Sequence, residues 1–273
     1  MAATTAGAAG ALAWWALWHE PRSVVLRRRD LALADWPAAL GGLTVAVIAD
    51  LHTGAPHVSA RRVGRLVARV NAARPDLVVL LGDYADPNVV GGHRVEPGRV
   101  AAELARLEAP LGRYAVLGNN DWDDHGARMP RALRGEGITV LENEAVEVFA
   151  AAAPLWVAGV ADAATRTARI GEALADVPED AAVLVLTHHP DVFARVPRRV
   201  ALTFAGHTHG SQIDLPLVRD RVTPSRHGAD YTGHVEEDGR RMFVSPGVGT
   251  SRLPIRIGAR PEVTLLRLEA RPA

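Results

Sequence analysis

From residue 43 onward the chain predicts an α/β fold built on mixed β-sheet, and three observations carry that expectation. Short Val- and Leu-rich runs alternate with stretches of helical period as far as residue 117, the order expected of βαβ units whose strands are covered on both faces. Apolar runs at 138–141, 146–149 and 155–160 then follow one another, the first two without a long helix between them, which suits antiparallel pairing. Of the 273 residues, 48% are hydrophobic, ample for one sizeable core, and neither an internal repeat nor a low-complexity linker divides them.

Residues 2–18 carry no charge, and Trp14, Trp15 and Trp18 gather where the run meets Glu20, Arg22 and the triplet Arg27, Arg28 and Arg29. Tryptophan beside arginine at the end of an apolar run suits a membrane interface, so residues 1–20 form a candidate anchor. A docked amphipathic helix and a processed segment are the other readings. If the run spans a bilayer, the following arginines favour a cytoplasmic position for the main domain, residues 43–270; an exported location stays open.

Within that domain, residues 45–49 read as the first strand. Ser59 caps a helix through Asn71 that buries Val63, Leu66, Val67 and Val70, and residues 77–81 form the next strand. Gly82 then turns the chain so that Asp83 projects from the strand end. A second helix starts at Pro97 and presents Val100, Leu104 and Leu107, and residues 114–117 return as strand. After the three runs already named come a helix over 169–174 and strands over 183–186, 200–204, 242–244 and 263–268. Residues 214–239, rich in Arg, Pro, Gly and His, read as a long loop over the functional site.

Composition removes several function classes. Arginine and lysine equal aspartate and glutamate at 31 each, so no global field favours nucleic acid, and no specific nucleic-acid partner is expected. All of those basic residues are arginine, a compositional bias that makes arginine alone a poor marker of anion sites. There is no cysteine, which excludes disulfides and thiolate metal ligands.

Chemistry concentrates at the strand ends: Asp50-Leu51-His52, Gly82-Asp83-Tyr84-Ala85-Asp86, Gly118-Asn119-Asn120-Asp121, Thr187-His188-His189-Pro190 and Gly206-His207-Thr208-His209-Gly210. Strand ends on one side of an α/β sheet converge, which is where ligands bind in such folds. Asp, His and Asn without sulfur suit borderline to hard divalent ions. The set is too large for one tetrahedral ion, so two are the economical reading. Two ions roughly 3.5–4 Å apart acidify water and clamp a phosphoryl group for in-line attack.

In this order the motifs resemble the signature of the calcineurin-like metallophosphoesterase superfamily, D-x-H, G-D-x-x-D, G-N-H-[DE], H and G-H-x-H, across roughly residues 43–268. The resemblance implies a four-layer αββα sandwich with two mixed β-sheets. It implies a first metal held by Asp50, His52, Asp83 and His209 and a second by Asp83, Asn119, His188 and His207, with Asp83 as the bridge. Manganese is the first expectation for both, with iron, zinc or magnesium as alternatives. Asp86 and Asp121 would orient histidines or solvent behind the ligands. The tail, Val244 to Thr250 followed by Leu253-Pro254-Ile255-Arg256 and Pro261-Glu262-Val263, looks like a bacterial branch that is exported or membrane-associated. That branch includes enzymes acting on envelope phosphate esters and on the lipid precursor UDP-2,3-diacylglucosamine.

One position departs from the pattern. Asn120 stands where the superfamily usually has histidine, and an amide does not donate a proton at neutral pH. Either the substrate has a good leaving group, or His125 or His189 supplies the acid, or Asn120 binds the phosphate and water does the rest. The catalytic candidates are therefore Asn119, Asn120, Asp121 and His125. His57, His93, His227 and His234 read as solvated loop histidines. His227, Tyr231 and His234 are also placed to cover a substrate, and Trp122 to wall the pocket. The expected activity is hydrolysis of a phosphodiester, phosphomonoester or pyrophosphate. A catalytically silent scaffold and a nuclease are the competing readings.

Overall fold

A computed structural model describes residues 2–150, 153–226 and 230–271. The first sheet is built from strands that the core covers on both faces. β2 (Leu43–Ile48) pairs in parallel with β3 (Leu77–Leu80), which pairs in parallel with β4 (Arg113–Ala115) and then β5 (Thr139–Val140). All four residues of β3 are buried, as a run of Leu and Val without a polar face requires. Helix α2 (Ala60–Ala72) starts where the Ser59 hydroxyl accepts from Arg62 N, and it lays Val63, Leu66, Val67 and Val70 on the sheet. Helices α3 (Pro97–Leu104) and α5 (Arg128–Gly135) extend that layer with Val100, Leu104, Met129 and Leu133.

The second sheet repeats the design. β7 (Ala153–Gly159), β8 (Ala182–Leu186), β9 (Leu202–Ala205) and β11 (Arg240–Val244) are parallel, with antiparallel β6 (Glu144–Ala150) and β10 (Gly233–Glu237) at the two edges. Val47, Leu77, Val79 and Leu266 of one sheet and Val157, Leu184, Leu202 and Phe204 of the other share a single apolar cluster, so the sheets pack face to face. A further cluster under α6 (Ile170–Ala173) covers the far side of the second sheet with Val160, Val183, Val185 and Val192. The architecture is the four-layer αββα sandwich, with two six-stranded mixed sheets.

Several elements differ from the sequence reading. The runs at 138–141 and 146–149 do not pair with each other: β5 joins the first sheet in parallel with β4, while β6 pairs antiparallel with β7 in the second. β1 (Val25–Leu33) is an edge strand parallel to β12 (Glu262–Ala270), which runs antiparallel to β2. Its four consecutive exposed charges, Arg27 to Asp30, hide any alternation, and Glu262 pairs with Arg27 (2.7 Å) and Arg29 (3.6 Å). The stretch 214–239 is not wholly irregular: it contains the short helix α7 (Arg219–Val222) and the edge strand β10. The charge-bearing Gly-His-Val-Glu-Glu sequence of β10 pairs with β11 through backbone hydrogen bonds that need no apolar face.

At the amino terminus, α1 (Ala2–Trp14) and a π-helical turn, Trp15–His19, follow one another. Residues 7–14 are exposed all round, so this is not an amphipathic helix docked on the domain. Contact begins at Ala16, which is buried and whose carbonyl accepts from Arg256 N (3.0 Å). Among the described residues no helix is long and apolar enough to cross a membrane.

Candidate metal centre

Every sequence-predicted ligand sits just beyond the carboxyl end of a parallel strand: Asp50 and His52 after β2, Asp83 after β3, Asn119 after β4, His188 after β8, His207 and His209 after β9. The turns there are tight enough that five of the seven, Asp50, His52, Asp83, His207 and His209, lie in the left-handed backbone region. Non-glycine residues rarely adopt it, and Asp, Asn and His tolerate it better than most. Backbone strain of this kind collects where a fold holds side chains for chemistry. Two glycines make the close approach sterically feasible. A Cβ on Gly118 would lie 2.1 Å from Asp83 Oδ1, and one on Gly247 would lie 2.7 Å from Asp50 Cβ.

The side chains form two groups, Asp50–His52–His209 and Asp83–His188–His207, each with ligand atoms within 4.8 Å of one another. Asp83 Oδ2 joins them, 3.5 Å from His52 Nε2 and 3.4 Å from His188 Nε2. Asp50 Oδ1 is 3.7 Å from His209 Nε2, and His207 Nδ1 is 3.1 Å from His188 Nε2. His188 donates Nδ1–H to Leu81 O at 2.7 Å, which leaves Nε2 with its lone pair facing Asp83. Asp86 Oδ2 contacts His52 Nδ1 at 3.0 Å and orients Nε2 in the same way. His52 Nε2, His209 Nδ1 and Asn119 Oδ1 are buried with no hydrogen-bond partner among the described residues. Buried polar atoms are normally satisfied. Orphaned nitrogen and oxygen acceptors beside two buried carboxylates fit divalent cations in both groups.

The electrostatics fit as well. Burial pushes Asp50 up to about 6, and the neighbouring Asp83 charge adds to the rise while His188 and His52 oppose it. Burial acts on Asp83 in the same sense, yet His188, His52 and His207 together hold it below the ordinary carboxylate range. His207 and His209 are lowered, chiefly by burial, and stay neutral. Burial opposes charge on His52 and His188 too, but the Asp86 hydrogen bond with Asp83 raises His52, and Asp83 raises His188 further. Each thus favours a positive charge beside the carboxylates, a charge that a divalent cation would replace.

The remaining candidates fall in different places. Asp121 does not reach a histidine or solvent. Its Oδ2 accepts from Asp83 N (2.8 Å) and Gly118 N (2.9 Å), and its Oδ1 from Tyr84 N (2.9 Å), so it locks the turn that presents Asp83. Burial, reinforced by the Asp83 charge, raises it to about 7. Asn120 donates from its backbone N to Asp83 Oδ1 (3.0 Å) and from Nδ2 to Asp83 Oδ2 (2.7 Å). His125 ends α4 (Asn119–His125), lies off the cavity wall, and has Asp124, Arg94, Arg128 and Glu96 as its charged neighbours. The helix carries it away from the strand ends. His189 stacks on His207, ring centres 4.2 Å apart.

Trp122 packs on the first-sheet core under Arg166 and does not line the cavity. Tyr231 is buried and its hydroxyl donates to Glu237 (2.7 Å), so it is no substrate cover. His57 is buried rather than solvated, donating Nε2–H to Pro254 O at 3.0 Å; His93 and His234 are exposed, and His227 lies outside the described residues.

Sequence reasoning missed the function of Arg256. Its fully buried guanidinium donates to the carbonyls of His209, Pro246, Gly247, Gly249 and Ala259, tying the His209 turn to the glycine loop under Asp50. Burial lowers it to about 10, still charged at neutral pH. Nothing in the sequence distinguishes it from thirty other arginines except its place in the tail motif.

A two-sheet sandwich whose strand ends pool carboxylates, histidines and an asparagine around two adjoining clusters defines a metal-dependent phosphoesterase. The chain belongs to the calcineurin-like phosphoesterase family, whose pattern matches residues 43–211. It is 27% identical over 261 residues to the uncharacterized metallophosphoesterase YkuE of Bacillus subtilis (strain 168), covering 94% of this chain and 89% of that protein. An uncharacterized metallophosphoesterase of Aquifex aeolicus (strain VF5) is 30% identical over 230 residues, 81% of this chain and 83% of its own length. The UDP-2,3-diacylglucosamine pyrophosphatase LpxG of Chlamydia trachomatis serovar D is 26% identical over 322 residues, 97% and 95% of the two chains. The protein is a hydrolase acting on phosphoester bonds.

Proposed function

We propose that the chain is a dinuclear, manganese-preferring phosphoesterase whose natural substrate is a diphosphate ester with an apolar substituent, drawn from a lipid or cell-envelope precursor pool. The observation that carries this reading is the sharing of Asp83 Oδ2 between the two ligand clusters, with His52 on one side and His188 on the other. Bound divalent cations supply Lewis-acid polarisation of the phosphoryl group and acidify the attacking water. The chain's own residues do the positioning. Asp50, His52, Asp83 and His209 would hold one ion, and Asp83, Asn119, His188 and His207 the other.

Asp121 and Arg256 fix the turns, and the half-open cavity bounded by Asn119, Asn120 and His207 receives the phosphoryl oxygens. Asn120 offers amide protons and no acid, which favours a leaving group of low pKa such as a phosphate. The pyrophosphatase activity in LpxG's name supports the same substrate class. Membrane association is supported by the exposed Leu12, Trp14, Trp15, Leu17 and Trp18, which crowd the helix that projects from the domain.

Metal analysis and leaving-group kinetics test the proposal. Asp83→Ala is expected to abolish both a stoichiometry near two ions and hydrolysis of bis-p-nitrophenyl phosphate; retained turnover refutes the site. Rates that rise steeply as the leaving group becomes more acidic support the role given to Asn120, and a flat series contradicts it. Metal binding without turnover on any phosphoester would make the chain a silent scaffold.

A further inference from the structure

The cavity beside the ligand clusters holds about 630 Å³, more than one phosphoryl group requires. Besides ligand-bearing residues its wall carries two arginines, Arg221 and Arg252. Neither guanidinium has a hydrogen-bond or ion-pair partner among the described residues. The acidic residues on the same wall, Asp83 and Asp86, both belong to the metal clusters, one as a ligand and one as the partner of His52. The rest of the wall is therefore cationic although the chain's formal charge is zero.

Arg252 is also presented with unusual rigidity for a surface arginine. Its backbone lies in the left-handed region at φ 59°, where arginine seldom sits. The Gln212 side chain braces that turn on both sides. Its Nε2 donates to Ser251 O (3.2 Å) and Leu253 O (3.0 Å), and its Oε1 accepts from Ser251 N (2.8 Å). Val90 N adds a bond to Arg252 O at 2.9 Å. Gln212 lies three residues beyond His209 and is itself left-handed at φ 57°, so a strained, hydrogen-bonded frame connects the ligand turn to Arg252. Strain held by a surrounding hydrogen-bond frame, on the wall of a catalytic cavity, points to function.

We propose that Arg252, assisted by Arg221, is the specificity-determining residue that receives the second phosphate of a diphosphate substrate whose first phosphate lies at the metal clusters. The assignment rests on the phosphoesterase reading above. A water oxygen bonds to the first phosphorus while the bond from that phosphorus to the bridging oxygen breaks. The bridging oxygen keeps the electron pair and departs on the second phosphate, and the protons of the water pass to solvent. Charge accumulates on the departing phosphate, where a guanidinium fork neutralises it bidentately. Such a leaving group needs no proton, which accounts for an amide at Asn120. Val222, Pro224 and Leu253, on the same wall, leave an apolar surface for the remainder of the substrate.

The test uses the chain loaded with manganese. Arg252→Gly removes the guanidinium and accepts the left-handed backbone, and Arg252→Lys keeps the charge without the fork. The ratio of kcat/KM on UDP-glucose to that on bis-p-nitrophenyl phosphate is expected to fall roughly tenfold or more in Arg252→Gly, the loss of one charge-assisted hydrogen bond, with a smaller fall in Arg252→Lys and in Arg221→Ala. Calorimetry supplies a readout independent of turnover. Arg252→Gly should weaken α,β-methylene-ADP by roughly tenfold and AMP by clearly less. Equal weakening of the two nucleotides, or an unchanged ratio in an enzyme that still cleaves bis-p-nitrophenyl phosphate, overturns the role of Arg252 alone. A wild-type chain inactive on both substrates overturns the phosphoesterase reading and this assignment with it.

Discussion

Replacing Arg256 by methionine keeps most of the side-chain volume and deletes the charge. The carbonyls of Pro246, Gly249 and Ala259 have no partner other than the guanidinium among the described residues, whereas His209 O and Gly247 O also accept from Gln212 N and Glu262 N. Stranding these carbonyls, two buried and that of Pro246 part-buried, costs up to about 1–3 kcal/mol each, a gross loss of up to about 9 kcal/mol. Burial of the guanidinium, which the variant relieves, offsets part of this, so the expected net loss is about 3–5 kcal/mol. Urea unfolding of chelator-treated protein, followed by far-UV circular dichroism, measures it as a lower midpoint at unchanged slope. Affinity for manganese should fall too, because the guanidinium ties the His209 turn to the loop whose Gly249 N donates to Asp50 O at 2.6 Å. Arg256→Lys, with one charged nitrogen where three carbonyls wait, should lie between wild type and Arg256→Met. A loss under about 1 kcal/mol in Arg256→Met, the size of an ordinary substitution, refutes the argument.

Other expectations follow from the same geometry. Gly118→Ala drives a methyl group into Asp83 Oδ1, 2.1 Å from the ideal Cβ, and should abolish metal binding and turnover while the chain stays folded. Gly98→Ala, in α3 with nothing within 4 Å, is the control and should gain about 0.5–1 kcal/mol in denaturant unfolding. His57 is lowered from 6.5 by burial, with the Arg22 and Arg62 charges adding to the effect. The unfolded chain therefore takes up this proton first, so the His57 contribution is a decline in stability as pH falls below 6.5. His57→Gln should flatten that decline in thermal melts between about pH 7.5 and pH 5.5; an unchanged slope removes the claim. Deleting residues 2–14 should release the chain from anionic vesicles in a sedimentation assay, and equal sedimentation of both forms would contradict attachment through α1.

The parts of the fold that were legible are those where one physical demand dominates. Leu77 to Leu81 can only be a strand buried on both faces, and Ser59 with the apolar stripe behind it can only begin a helix. The metal candidates were legible for a related reason: a buried strand that ends in Asp, Asn or His has exchanged apolar burial for polar atoms that need a partner. β1 was not legible, because its register is set by Glu262 and by backbone pairing with β12 while Arg27 to Asp30 face solvent. The Gln212–Arg252 frame was equally hidden, since it joins residues forty apart through side chain-to-backbone bonds that leave no periodicity. His125, six residues after Asn119, offers no such signal: the two stand at opposite ends of the seven-residue helix α4, and His125 lies off the cavity wall.

The placement of strain also says why Asp121 is aspartate. The turn at Asp83 has a left-handed φ of 55° and two backbone amides, Asp83 N and Tyr84 N, that the sheet no longer pairs. One carboxylate takes both, and Gly118 N as well, so a single residue of the third motif satisfies the second. Asn120, next in sequence to Asn119, reaches the same Asp83 from the other side. Asp83 is thus held by its neighbours' backbone and amide groups on two sides and by two histidines on the others. In the proposed site Asp83 would have to keep one orientation toward both clusters at once, and the protein's own hydrogen bonds supply that orientation.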